Sequence, residues 1–279
     1  MRWRRLDRKL GLAGFVMAFC DPSRRILPAR IFTAAGGPLA NLLVAGGLSL
    51  VAQRLPTGQL AWALIASFAT MNAAVGLANL VPYKGRMGSD GLRIIAMLVT
   101  GRTPESHPYV RLVGLSLFGC LAQELPESDL EALEKGVFTM PLVALWYRVK
   151  ARQNDGDWAR AAAMREVLDA LLADRDPREL KALEELLDAL SLEIEFSRAM
   201  STGSANHLDA NPLSPAATWT SPHLWPRCKA LRSALAGDRA GCVHWLEESR
   251  RFADNAIDDA LVASEQALRG RIARLKLVR

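Results

Sequence analysis

Histidine is scarce and never paired. The 279 residues hold four, His107, His207, His223 and His244, and no two stand four apart. That excludes a helix presenting two imidazoles one turn apart to a zinc ion. Cysteine is equally sparse: Cys20, Cys120, Cys228 and Cys242 form no Cys-x-x-Cys pair, which excludes a zinc knuckle and a thioredoxin-like motif and suits a reducing compartment for the second half. A phosphate loop, a dinucleotide fingerprint, a GxSxG elbow and an EF-hand are all missing. The tryptophans, Trp146, Trp158, Trp219, Trp225 and Trp245 among them, are not interleaved with basic residues. They read as core or interface anchors rather than a base-stacking platform, so no nucleic-acid partner is expected.

The most telling absence is of charge. Ile31 to Gln53 and Leu55 to Tyr83 contain no Asp, Glu, Lys or Arg, and each exceeds the roughly 20 apolar residues that carry a helix across a bilayer. Two spans are predicted, about 33–53 and 59–81, helical because backbone groups in lipid must be satisfied within the segment. Burial as core helices of a soluble protein is the alternative. Leu10 to Cys20 is too short to cross and matches a secretory signal poorly. Arg2, Arg4, Arg5, Arg8, Lys9, Arg24, Arg25 and Arg30 precede the first span, and only Arg54 lies between the two. By the positive-inside rule the leader, residues 1–30, stays cytoplasmic, where anionic lipid headgroups are its partner. Lys84, Arg86 and Arg93 bring the chain back. The expectation is a multi-pass protein of the inner or cell membrane with both termini cytoplasmic. The net charge of +6 resides largely in that leader and a basic tail.

Inside the first span, Gly37, Asn41, Ala45 and Ser49 recur every four residues, a stripe along which a second backbone can approach. Asn72, Gly76 and Asn79 share a face of the second span. Asn41 and Asn72 either bond across the interface or do more, since polar groups at membrane depth carry a functional presumption. Pro38 is expected in the first helical turn, where its missing amide hydrogen has no partner. Pro82 must end the second helix, and Gly85 and Gly88 mark a loop rather than a third crossing. Apolar periodicity resumes over Leu92 to Val99. Asp90 therefore stands at a helix N-terminus, as a simple cap flanked by turn residues Ser89 and Gly91 or as a metal ligand.

Gly36-Gly37-Pro38-Leu39-Ala40-Asn41, then Asn79-Leu80-Val81-Pro82, then Asp90-Gly91, resemble in order and separation the site-2 proteases, intramembrane zinc metalloproteases. The resemblance covers about Ile26 to Val99. It implies a zinc cofactor with Asp90 as third ligand, Asn79 and Pro82 on the substrate-binding side, and Gly37, Pro38, Asn41, Asn72 and Gly91 as structural neighbours. It also implies a transmembrane protein as substrate, hydrolysed near the membrane face. Two departures stand against it. The family's HExxH helix is absent, and the loop from Pro82 to Asp90 is longer than the common pattern. One carboxylate does not retain zinc alone, so the chain by itself is expected to lack peptidase activity and bound zinc. Three histories fit: a start upstream of Met1, a degenerate gene, or a pseudoprotease.

From about Asp129 charge alternates with alanine, and Leu171, Leu172, Leu183, Leu186, Leu187, Leu190 and Leu192 recur at helical spacing. The fold class is thus all-α, with membrane-embedded helices over 31–125 and a soluble helical domain over 126–279. Gly156-Asp157-Trp158-Ala159 and Gly237-Asp238-Arg239-Ala240 open helices alike, as tetratricopeptide-type repeats do, although ordinary antiparallel packing explains them as well. Ser201 to Pro226 reads as a long loop. Leu112 to Ala122 either packs on the membrane domain or begins the helical half. The competing function is a membrane-anchored helical adaptor for a cytoplasmic protein partner.

Overall fold

The computed structural model describes residues 27–83, 89–101, 107–208 and 213–275, and every regular element among them is helical. The chain divides between Ser106 and His107 into two compact units.

In the first unit, α1 (Leu27–Ala52) and α2 (Leu60–Leu80) form a hairpin whose turn places Gly58 at a φ of 94°. At about 1.5 Å per residue both helices are long enough for a hydrocarbon core of about 30 Å, and both are apolar enough to be candidate membrane spans. A core helix of a soluble protein would be mostly covered. Here only 11% of each apolar window is buried, and Phe32 and Leu43 are 74% and 76% exposed, which favours lipid as the surroundings.

The hairpin's contact face differs from the four-residue stripe. Pro38, Ala45 and Ala52 are buried and Asn41, Leu42 and Leu48 half-buried, whereas Gly37 and Ser49 are exposed and nothing stands within 4 Å of a Cβ built on Gly37. Successive contacts three and four residues apart follow the helix's 3.6-residue turn, from which a strict step of four drifts. Pro38 is also not in the first turn. α1 begins at Leu27, so Pro38 sits in its interior, and its ring removes one intrahelical hydrogen bond. The α2 partner is Gly76: a Cβ there would lie 3.0 Å from both the Pro38 carbonyl oxygen and Leu42 Cγ. A third helix, α3 (Asp90–Thr100), packs on both members of the hairpin.

The second unit contains α4 (Pro108–Leu117), a 3-10 turn at Ala122–Glu124, α5 (Glu127–Glu134), α6 (Thr139–Asp155), α7 (Trp158–Leu172), α8 (Pro177–Ala182), α9 (Glu184–Thr202), α10 (Pro215–Thr220), α11 (Leu224–Leu235), α12 (Arg239–Ala253) and α13 (Asp259–Ala273). Leu112, with Leu125, Leu130, Leu133 and Ala144, forms a small core of this unit, so the Leu112 to Ala122 stretch opens the helical half. The reading of Ser201 to Pro226 as one long loop needs correction. α10 and the first turn of α11 lie within it, Ser214 and Pro215 giving α10 a capped start, while 209–212 fall outside the described residues. The two Gly-Asp turns are alike: Gly156 and Gly237 have φ of 79° and 78°, and Asp157 and Asp238 each accept a hydrogen bond from a backbone amide of the next helix. In both places the second helix folds back on the first, α7 on α6 and α12 on α11.

Candidate functional site

The segment from Asn79 to Gly91 is built by three local devices. Pro82 disfavours helical geometry at Val81, which turns extended (ψ 123°) while its amide still donates to the Leu77 carbonyl oxygen, closing α2 one residue after Leu80. Asn79 is half-buried in the last turn, and Pro82 and Tyr83 are exposed. Ser89, which is buried, then gathers four backbone bonds. Its Oγ accepts from the amides of Tyr83 (3.1 Å) and Leu92 (3.2 Å), its amide donates to the Tyr83 carbonyl oxygen (3.3 Å), and its carbonyl oxygen accepts from Arg93 (3.1 Å). Ser89 is thus the cap of α3 and also the clasp that holds the two ends of the 84–88 segment together. The cap is not Asp90, which is the first helical residue, where the exposed amides of the helix start favour a carboxylate.

The third device is Gly91. A Cβ there would fall 1.9 Å from the Leu80 carbonyl oxygen, so only glycine lets α3 begin against the end of α2. Asp90 is thereby fixed beside the α2 terminus. Its side chain is 34% exposed, neither enclosed nor in open water, and its carboxylate is 3.9 Å from the Arg93 guanidinium. Asn72 turns back on its own helix, Nδ2 donating to the Phe68 carbonyl oxygen at 2.8 Å. Among the sequence-predicted residues the structure therefore places Pro38, Asn41, Asn72, Gly76 and Asn79 on packed faces of the hairpin and ties Asp90 and Gly91 to its end, while Gly37 points away.

These residues do not make a zinc site by themselves. A catalytic zinc takes three protein ligands and a water. Among the described residues of the first unit Asp90 is the one His, Cys, Asp or Glu, and nowhere among the described residues do three such side chains gather around a possible metal position. The histidines are otherwise engaged or exposed: His107 Nδ1 accepts from the Tyr109 amide at the start of α4, His244 packs edge-on against Trp245, His223 is buried in the second unit, and His207 lies on the surface.

Sequence reasoning missed a second constellation, inside the helical unit. Lys150 Nζ donates to Glu193 (2.7 Å) and Glu265 (3.2 Å), Arg227 bonds the same two carboxylates, and Gln153 donates to Glu193 and Ser197. All are buried, and His223 Nε2 lies 3.7 Å from Glu265. Two cations face two carboxylates. Burial alone would raise Glu193, but Arg227 and Lys150 outweigh it and hold the carboxyl at about 2, and Glu265 is lowered in the same way. Burial lowers His223 and pushes the Cys228 thiol up to about 12, so Cys228 is an inert core residue. The one signal available was Leu190, Glu193 and Ser197 recurring on a single helical face.

Against known proteins, no family model matches the chain and no solved structure matches it. A protein of Synechocystis sp. named "Putative zinc metalloprotease sll0528" is 30% identical over 142 residues, 50% of this chain and 36% of that protein. The chain thus spans about a third of that relative's length. The match is a weak sign of kinship with zinc metalloproteases.

Proposed function

We propose that this chain is a site-2-protease-like integral membrane protein in which Asp90 is the metal-ligand position and Asn79 and Pro82 border the path of a transmembrane protein substrate. The observation that carries the reading is the joint fixing of the NxxP and Asp-Gly elements: Ser89 binds Tyr83 in both directions while Gly91 abuts Leu80, so the carboxylate is held at the end of the Asn79 helix. The similarity to a zinc metalloprotease supports it. In this reading α1 and α2 cross the inner or cell membrane with both termini cytoplasmic. With no HExxH helix in its 279 residues, the chain alone neither retains zinc nor cleaves peptide bonds.

The test joins an apolar helix bearing an HExxH motif ahead of the first span. The expected chimera binds one zinc per chain, and Asp90→Ala lowers zinc affinity by more than about 100-fold, beyond what loss of an outer-shell partner costs. Equal zinc affinity with and without Asp90 refutes the assignment, as does zinc-dependent cleavage of a membrane substrate by the unmodified chain.

A second reading is a membrane-anchored adaptor, favoured by the twin Gly-Asp helix hairpins of the second unit. It expects Asp90→Ala to leave the capture of a cytoplasmic partner unchanged and substitutions on the helical unit to abolish it.

A further inference from the structure

α3 carries an outward face on which no described residue of its own unit packs. Ile95, Leu98 and Val99, at the i, i+3, i+4 spacing of one helical face, are 46%, 64% and 79% exposed, while Gly91 and Met97 are buried against the hairpin. Its charged residues, Asp90 and Arg93, both lie in the first turn. The last two turns present only aliphatic groups and Thr100, whose hydroxyl donates back to the Ala96 carbonyl oxygen. A water-facing helix on a soluble unit is patterned the other way, with its polar residues outward.

The outward faces of α1 and α2, against which α3 packs, are of the same kind: Phe32, Leu43 and Leu77 are exposed there too. Whatever covers the hairpin therefore covers α3. Eleven residues rise only about 16 Å, roughly half of a hydrocarbon core, so α3 does not cross. The polar groups collect at its start: Tyr83 is tied to Ser89, Tyr83 and the Arg93 side chain are each 55% exposed, and tyrosine and arginine are side chains that settle at headgroup depth.

We infer that α3 is immersed in one leaflet, with Ile95, Leu98 and Val99 among lipid acyl chains and Tyr83, Asp90 and Arg93 at the headgroup level. The inference rests on the reading that α1 and α2 cross the membrane.

The test places the photo-reactive residue p-benzoylphenylalanine at Leu98, or separately at Val99, in the full chain reconstituted into phosphatidylethanolamine and phosphatidylglycerol vesicles. Leu43 on α1 and Val137 in the helical unit, both largely exposed, serve as references. Mass spectrometry of the irradiated protein reads the adduct. The expected result is lipid adducts at Leu98 and Val99 within about twofold of the Leu43 yield and at least about tenfold above that of Val137, as for a helix whose apolar face is buried in the acyl boundary. Cross-links to a second copy or to the helical unit overturn it. So does an absence of adducts at Leu98 and Val99 while Leu43 labels lipid, a result that leaves the spanning helices standing. If Leu43 also yields no lipid adduct, the spanning reading fails and takes the inference with it.

Discussion

The two units solve the problem of polar and apolar groups in opposite ways. In the first, large aliphatic and aromatic side chains face outward and the helices touch through close backbone approaches, Gly76 against Pro38 and Gly91 against Leu80. In the second, leucines and phenylalanine are inside, and at their centre lie two carboxylates, a lysine and an arginine almost wholly removed from solvent. A hairpin with exposed Phe32 and Leu43 gains little from the hydrophobic effect if water surrounds it, whereas the buried ions of the second unit are tolerable because each is matched and hydrogen-bonded. The two units thus differ in which side chains they turn outward.

The largest way to break that contrast is to unbalance the ionic centre. Arg227→Met leaves Glu193 and Glu265 with Lys150 as their remaining lysine or arginine partner, and should cost the second unit about 3–5 kcal/mol in urea denaturation. A loss below about 1 kcal/mol would mean that the four helices do not depend on the pairing.

Next is the backbone contact of the first unit. In Gly91→Ala the new methyl group meets the Leu80 carbonyl oxygen, so α3 must shift, at a cost of about 1–3 kcal/mol. Faster trypsin cleavage after Arg93 in detergent is the readout, while the urea midpoint of the second unit should stay put. A midpoint that moves would show the two units to be one cooperative body.

Smallest is the response to acid. His223 is lowered by burial relative to its ordinary 6.5, so the unfolded chain binds the proton more readily than the folded one. The stability this contributes is complete above pH 6.5 and is lost as pH falls through the folded value. Protonation would set a third cation among Lys150, Arg227, Glu193 and Glu265. The urea midpoint of the second unit should therefore decline below pH 6.5, and His223→Gln should flatten that decline; an unchanged slope refutes the assignment. The first unit, whose described residues include no histidine, gives the comparison.

The two apolar helices and the Gly-Asp turns are legible in the sequence, because the absence of charge over some twenty residues is a strong constraint and the Gly-Asp pairs are strong helix punctuation. The expected end of α2 at Pro82 and a helix over Leu92 to Val99 with Asp90 at its N-terminus both match the structure, although the cap is Ser89. The contact register of α1 was not legible. Small residues at 37, 41, 45 and 49 suggest a straight stripe, but the helix turns every 3.6 residues and Pro38, Leu42, Ala45 and Ala52 take the contact. Pro38 was misplaced because Arg30 suggests a boundary that α1 passes through. Ser89 looked like a turn residue because its partner Tyr83 is reached across a loop. The ionic centre escaped for a similar reason: Lys150, Glu193, Arg227 and Glu265 are 34 to 115 positions apart along the bonds that join them, so periodicity within any one helix shows a misplaced polar residue and nothing of its partners.

The mutual bonding of Tyr83 and Ser89 brings together residues six positions apart in sequence. The chain leaving α2 and the chain entering α3 are therefore joined directly, at Tyr83 and Ser89 and again where Gly91 abuts Leu80. The main chain on both sides of Asp90 is thus anchored to the end of α2.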